Sequence, residues 1–481
     1  RRNGKDSDIW TMDPANPKTD RLLTQVESGG WWPTDWSHSG KWFVLIEYIS
    51  ANESYLWQVD AETGSKRAIV ERGGEPALYA DAQFSQDDGG LYATTDNGSQ
   101  FQRLTYIDLA TRKQTPLTSS IPWDVDEFQI SRDGKHVAFV TNEDGASKLY
   151  ILDTATRQFH PISGLPNAVV SRLKWHANSR EIGFNVNSAR MPTDVYSVDI
   201  ERNVVTRWTE SETGGLNAST FPEAQLVKWK SFDGKEISGF LYMPPPKFTG
   251  KRPVIVNVHG GPEGQSRPVF VGRNNYFLNE MGVAIIYPNV RGSTGYGKTF
   301  LAADNGFRRE NSYKDLDALF DWIKQDTRLD GDRILVMGGS YGGHMTLVAA
   351  THYSDRIRCS IDVVGISSLV TFLEHTESYR RDLRRAEYGD ERDPKMRAYQ
   401  ESVAPMNRVK NLTKPILIVA GKNDPRVPIS ESDQIAAAVK ANGVPRWYLV
   451  GKDEGHGFAK RRNLDFQFYT TVQFIQSYLL N

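Results

Sequence analysis

The chain has 481 residues, 39% hydrophobic and 24% charged, and its 58 Lys plus Arg against 59 Asp plus Glu leave a net charge of −1. That length implies two or three domains with large cores, and the balanced charge removes any global field that would draw nucleic acid or an anionic membrane. One cysteine, Cys359, excludes an intrachain disulfide framework; no apolar run reaches the roughly 18 residues of a membrane span.

The chain opens Arg-Arg-Asn-Gly, without Met and without a signal-type apolar stretch. Nothing selects between a cytoplasmic and a periplasmic location for a soluble protein.

Residues 1–220 contain a repeat. A turn leading into a β-rich strand begins at Trp36-Ser-His-Ser-Gly-Lys and recurs at Phe84, Ile130 and Trp175, at intervals of 48, 46 and 45 residues. Its second half is an alternating strand, a turn and another strand, as in Leu56-Trp-Gln-Val-Asp-Ala-Glu-Thr-Gly, with counterparts at Leu104, Leu149 and Val195. Units of this length built of short strands are propeller blades, each burying its faces on its neighbours. Four full repeats are visible. An orphan half-blade, Asp8-Ile-Trp-Thr-Met-Asp to Thr24, precedes them. The expectation is an incomplete β-propeller whose remaining blades lie in sequence upstream of this chain.

A polar, repeat-free stretch at 210–225 reads as a hinge. From 221 to 481 strands alternate with helices. Eight candidate strands fall at 226–230, 237–243, 253–258, 283–287, 334–337, 360–365, 416–420 and 446–450. A helix at 313–326 sets Leu316, Leu319, Phe320 and Ile323 on one stripe, and the last helix does so with Phe468, Val472, Ile475 and Leu479. This pattern predicts an α/β-hydrolase domain with a mostly parallel eight-stranded sheet.

The strand 334–337 runs into Gly338-Gly-Ser340-Tyr-Gly342-Gly343, and a helix-compatible stretch follows. This is the setting of a nucleophile elbow, in which small neighbours let the backbone turn sharply and expose the serine hydroxyl. A glycine-rich turn with an incidental serine is the plain alternative. Asp424 follows the apolar run 416–420, and His456, in Glu454-Gly-His-Gly-Phe458, follows 446–450. The chain order Ser, Asp, His, each after a predicted strand, fits an α/β-hydrolase triad. In it Ser340 is the nucleophile, His456 the general base and Asp424 the group that orients it. Asp433, Asp453 and Glu454 are rival orienters. The backbone N–H of Tyr341 is one oxyanion donor.

A propeller followed by this elbow and by His259-Gly-Gly-Pro262, Arg291-Gly-Ser-Thr-Gly-Tyr-Gly297, Asn423-Asp-Pro-Arg-Val-Pro428 and Glu454-Gly-His-Gly-Phe458 resembles the prolyl oligopeptidase family of serine peptidases, in its acylaminoacyl-peptidase and dipeptidyl-peptidase-like branch. The resemblance covers 226–481 by motif and the propeller by type of repeat. It implies cleavage of short peptides through an acyl-enzyme, a second oxyanion donor in the His259-Gly260-Gly261 loop (the Gly261 N–H before the His259 side chain), and Arg426 as a clamp on a substrate carbonyl. It also implies an apolar primary pocket lined by Tyr341, Val427, Ile366, Leu369 and Phe372. Arg380, Arg381, Arg384 and Arg385 share one helix face by spacing. They read as a solvated face paired with Asp382, Glu387 and Asp390, or as a site for an acidic side chain or a peptide C-terminal carboxylate. No metal or cofactor site is evident. Short peptides are the expected partner, with no nucleic acid and no membrane; a homo-oligomer is left open. Two other functions use the same residues: a carboxylesterase or other acyl hydrolase, and a propeller binding protein with a vestigial hydrolase.

Overall fold

A computed structural model describes residues 2–3, 6–27 and 30–481. The chain forms two compact units, Arg1–Gly215 with Gly295–Thr299, and Leu216–Thr294 with Phe300–Asn481.

In the first unit the repeat becomes four four-stranded antiparallel sheets, each with its strands in chain order. They start at Gly30–Trp36, Tyr79–Phe84, Asp124–Ile130 and Val169–Trp175. A two-stranded sheet of Ile9–Asp13 and Asn16–Thr24 precedes them. The repeated polar residues hold the turns. The hydroxyls of Ser37, Ser85 and Ser131 accept the N–H of Trp42, Gly90 and His136 at 3.0, 2.9 and 2.9 Å. Asp60, Asp108 and Asp153 accept the N–H of Thr63, Thr111 and Thr156, each at 2.7 Å, and these bonds hold the three carboxylates below their usual range.

Alternating strand residues bury both faces of each sheet. Val44, Ile46 and Leu56 pack on Tyr79, Phe84 and Leu91, Tyr92 and Leu104 on Phe128 and Phe139, and Val140 and Leu149 on Leu173 and Phe184. Carboxylates tie successive blades. Asp35 accepts the Phe84 N–H at 2.8 Å, and Glu127 accepts those of Arg172 and Leu173 at 2.8 and 2.6 Å. Leu23 of the two-stranded sheet joins Trp31, Phe43 and Val59.

The second unit is built on one eight-stranded sheet. Its strands are β1 (Gln225–Lys230), β2 (Glu236–Tyr242), β3 (Arg252–Val258), β4 (Ala284–Asn289), β5 (Leu329–Gly339), β6 (Cys359–Val363), β7 (Ile416–Gly421) and β8 (Arg446–Gly451). The spatial order is β1-β2-β4-β3-β5-β6-β7-β8. β1 and β2 run antiparallel to their neighbours, and from β4 to β8 every pairing is parallel. The eight expected strands are all present. β5 alone is much longer than its apolar signal, because Leu329-Asp-Gly-Asp-Arg333 is polar yet pairs with β3 through Leu329 and Arg252.

Five helices matter for the site: α1 (Glu310–Gln325), α2 (Tyr341–His352), α3 (Leu369–His375), α4 (Ser378–Tyr388) and α5 (Arg461–Ile475). The apolar stripe of α1 is buried, as are Val472 and Ile475 of α5 and Leu479 in the π turn that continues it. Among the described residues no helix is long and apolar enough to cross a membrane.

Cys359 on β6 is buried, and burial pushes its thiol up to about 12. The thiolate is therefore scarce at neutral pH. The native protein is expected to resist maleimide at pH 7.5 and to take up one equivalent in guanidinium chloride; rapid labelling of the native chain would contradict this burial.

Candidate active site

β5 delivers Ser340 to the carboxyl edge of the parallel strands, where the chain reverses into α2. Ser340 has φ 60° and ψ −118°, a left-handed φ that costs a residue with a Cβ of order 1–3 kcal/mol and persists only where its surroundings enforce it. Two bonds enforce it. The Ser340 N–H donates to Val363 O at 2.9 Å, and the Ser340 carbonyl accepts the His344 N–H at 2.9 Å to open the helix. The rest is close approach. A Cβ on Gly342 would lie 2.1 Å from Val258 O, one on Gly338 2.5 Å from the Gly342 backbone, and one on Gly343 2.5 Å from Asp362 Oδ1. Gly339 is different: its nearest neighbour would be 3.8 Å away.

β7 and β8 lie side by side, and the loops beyond them are joined by the Asn423 N–H bonding to Glu454 O at 2.9 Å. Asp424 is buried. Its Oδ2 accepts from His456 Nδ1 at 2.7 Å, and its Oδ1 accepts the N–H groups of Arg426 and Val427 at 2.8 and 3.0 Å. This fixes the proton on Nδ1 and leaves Nε2 with its lone pair. The other acids near this loop are occupied elsewhere. Asp433 accepts from the Tyr448 hydroxyl, Asp453 pairs with Lys460, and Glu454 accepts the N–H groups of Ala459 and Lys460. Among the described residues no hydrogen bond joins the Ser340 hydroxyl to His456.

The loop after β3 packs on the elbow, since a Cβ on Gly260 would sit 3.6 Å from Ser340 Cβ. His259 is locked inside this loop. Its Nδ1 lies 2.9 Å from Gly260 O, which can only accept, so Nδ1 carries the proton. Burial lowers the ring's pKa, and its Nε2 lies 2.8 Å from the Ser293 hydroxyl oxygen, whose own proton goes to Val290 O at 2.6 Å. Both ring nitrogens are thus committed within the protein, and the side chain has no N–H left for a substrate. The Gly261 carbonyl accepts from Arg384 at 3.1 Å.

Behind the loop lies a buried ionic network with no apolar or spacing signal in the sequence. Arg309 is fully buried and pairs with Asp304 and Glu387, while Arg384 pairs with Glu263 and Glu387 at 3.0 Å each. Burial and then the charge of Glu263 push Glu387 well above the carboxylate range, whereas Glu263 is held at about 2 by its bond to Glu387 and by Arg384. Of the three carboxyls that face Arg309 and Arg384, Glu387 is the one pushed well towards its protonated form. Two cations then face two anions, Asp304 and Glu263. Burial raises Asp304 to about 6. A Cβ on Gly292 would come 2.5 Å from this carboxylate, which accounts for that glycine. Arg291 of the same glycine-rich segment is spent on Asp315 and Asp233.

The residues expected to line a pocket, Tyr341, Val427, Ile366, Leu369 and Phe372, are buried in one cluster. The Tyr341 hydroxyl bonds to Ser312 at 3.0 Å and donates to Asp304 at 3.3 Å. The segment from Ile366 is fixed: Ile366 O accepts from His344 Nδ1 at 2.8 Å, and Glu431 accepts the N–H groups of Ser367 and Ser368. The four arginines of α4 do not form one solvated face. Arg385 pairs at the surface with Asp382, Asp390 and Glu391, Arg381 caps the Thr376 carbonyl, Arg384 turns inward, and Arg380 meets no carboxylate among the described residues. No group of three His, Cys, Asp or Glu gathers as a metal site among the described residues.

Blades followed by a sheet of this order, with a serine elbow and an Asp–His pair at one strand edge, make a propeller–α/β-hydrolase. A family model described as the prolyl oligopeptidase family matches residues 269–481, and one described as the prolyl oligopeptidase N-terminal β-propeller domain matches 15–211. The chain belongs to the prolyl oligopeptidase family.

It is 29% identical over 385 residues to dipeptidyl aminopeptidase BIII of Pseudoxanthomonas mexicana, covering 78% of this chain and 55% of that protein. It is 36% identical over 248 residues to dipeptidyl peptidase family member 6 of Caenorhabditis elegans, covering 50% and 33%. The chain thus spans about half or less of the length of these curated relatives. Among solved structures, a puromycin-hydrolyzing peptidase of Mycobacterium tuberculosis shares the fold, with a TM-score of 0.86 at 20% identity over 96% of this chain and 71% of that one.

Two expectations follow. Gly342→Ala should cost about 3 kcal/mol or more through overpacking against Val258, whereas Gly339→Ala should leave the melting temperature within a degree or two; equal effects would refute the close-approach account. Glu387→Gln should change stability by no more than about 1 kcal/mol, since an amide can both donate to Glu263 and accept from an arginine. Arg309→Met should cost about 3–5 kcal/mol by stranding buried carboxylate, measured as urea midpoints.

Proposed function

We propose that this chain is the catalytic part of a serine peptidase that hydrolyses short peptides through a Ser340 acyl-enzyme. The observation that carries this is the 2.7 Å Asp424–His456 bond in loops at the same strand edge that holds Ser340 at φ 60°. Ser340 Oγ attacks the scissile carbonyl carbon while His456 Nε2 takes the hydroxyl proton. The Nδ1–H stays on Asp424, which stabilises the imidazolium. His456 then returns the proton to the leaving amine, and water, deprotonated by the same nitrogen, releases the acyl group. The Tyr341 N–H, at the first position of α2 and so without an intrahelical partner, is one oxyanion donor. The Gly261 N–H is the second. His259 serves by shaping that loop.

Arg426 holds a substrate carbonyl. Val427, Ile366, Leu369 and Phe372, with the ring of Tyr341, supply an apolar wall for an uncharged side chain. The dipeptidyl peptidase names among the relatives support peptides as the substrate class.

A fluorophosphonate probe should label Ser340 alone, and Ser340→Ala should abolish labelling and lower kcat on a peptide anilide by about 10⁴ or more. Labelling that survives the substitution would refute the assignment. Arg426→Ala should lower kcat/KM on the anilide roughly 10- to 150-fold, the worth of a charge-assisted hydrogen bond, with a far smaller loss on a short acetate ester. Equal losses on both would assign Arg426 to the architecture of the Asp424 loop. An enzyme that turns over the ester and not the anilide would be an acyl hydrolase rather than a peptidase.

A further inference from the structure

α4 is tethered to both halves of the site. Just before it, the Thr376 hydroxyl donates to the backbone carbonyl of Arg426 at 2.8 Å, two residues from Asp424. Within the helix, Arg384 donates to Gly261 O in the loop whose Gly260 packs on Ser340. Arg380 lies one turn before Arg384, on the same face, and so stands between the Asp424 loop and the Gly260 loop.

Its surroundings are unusual for a half-buried guanidinium. Its Nε is buried and has no hydrogen-bond partner. Burial, the charge of Arg426 and the charge of Arg384 all disfavour its cationic form, and only the Tyr379 phenol beside it acts the other way. Arg384 is neutralised by Glu263 and also bonded to Glu387. Arg380 and Arg426 have no carboxylate partner among the described residues. The nearest acid on the Arg426 loop, Asp424, has both oxygens committed, to His456 and to two backbone N–H groups. Two cations held together, one of them partly desolvated, destabilise a fold. A site keeps such an arrangement when a ligand completes it. Guanidinium forks match a carboxylate.

We propose that Arg380, with Arg426 beside it, forms a carboxylate-binding subsite next to Ser340 that selects peptides carrying a negative charge close to the bond cut. The carboxylate is an acidic side chain or the free C-terminus of a short substrate. This rests on the peptidase reading above for its position in the substrate, though not for its binding.

The test uses binding first. In the full chain carrying Ser340→Ala, calorimetry compares peptide pairs that differ only in charge: Glu against Gln flanking the scissile position, and a free C-terminus against its amide. At low salt the charged member of at least one pair should bind ten-fold or more tightly. The Glu/Gln pair reports a side-chain site and the acid/amide pair a terminal one. In Ser340→Ala with Arg380→Gln the preference should fall to within about two-fold, with the neutral peptide unchanged, and Arg380→Lys should keep part of it. Arg380→Gln should also melt at the same or a higher temperature, because it relieves an uncompensated charge. Absence of any charge preference, a preference that survives Arg380→Gln, or a clear drop in melting temperature would each overturn the subsite. If the preference is present but the protein carrying Ser340 hydrolyses none of these peptides, the peptidase reading fails and the subsite stands.

Discussion

The close approach of α2 to β3 is the contact on which the rest of the second unit's site depends. Gly342 lies so near the Val258 carbonyl that no side chain fits between them, and this brings the first turn of α2 against the loop that follows β3. Ser340 has to reverse the chain within one residue to reach that position, and its φ of 60° is the result. The strain is anchored by a bond to Val363 O, and Val364 beyond it also has a positive φ, 48°, held by its N–H bonding to Val419 O at 2.8 Å. A β-branched residue there is a genuine outlier. The distortion at Ser340 is therefore transmitted through β6 to β7, the strand that carries the Asp424 loop. Ser340 and the Asp424 loop are positioned by one continuous set of backbone bonds at the sheet edge.

The loop after β3 has a different support. It is pinned at Ser266 by the Asn289 amide at the end of β4, which accepts the Ser266 N–H at 2.6 Å and donates to its carbonyl at 2.9 Å, and it is held from behind by charge. Arg384 bonds to Gly261 O and to Glu263, and Arg309 and Arg384 both contact Glu387. Buried ion pairs add little net stability compared with apolar packing, but losing one partner is costly. Such a network favours one arrangement of a loop over its alternatives. The same network reaches the elbow from the other side, since the Tyr341 hydroxyl donates to Asp304.

Much of the architecture was legible in sequence because it rests on periodic signals. Short strands at near-constant spacing mark the blades, and the Ser and Asp residues that define the repeat are the ones that close its turns. Apolar runs mark the strands of the sheet. The polar beginning of β5 carries no such run; pairing with β3 makes it a strand. The buried network was not legible for a related reason. Asp304, Arg309, Arg384, Glu263 and Glu387 are residue types that are exposed by default, and nothing local shows that Arg384 meets Glu263 across 121 residues. Spacing likewise places Arg380, Arg381, Arg384 and Arg385 on one face, but only the tertiary neighbours decide which is paired, which caps a turn and which is left with other cations. At the site, order along the chain put Ser340, Asp424 and His456 on strand-end loops. The same order favours Asp424, directly after a strand, over Asp433, Asp453 and Glu454, and the 2.7 Å bond to the imidazole agrees with it.

The two sides of Ser340 consequently differ in charge. On the Gly261 side Arg309 and Arg384 each face a carboxylate. On the other side Asp424 is consumed by His456 and by its own loop, and Arg426 and Arg380 meet no carboxylate among the described residues. A developing oxyanion is served by local, oriented donors that need not reorganise. A substrate's fixed charge is served by long side chains that keep their charge when partly desolvated. α4 bridges these two environments, and its alternation of Arg380 and Arg384 on one face separates them: the same residue type one helical turn apart is neutralised beside Gly261 and bare beside Arg426.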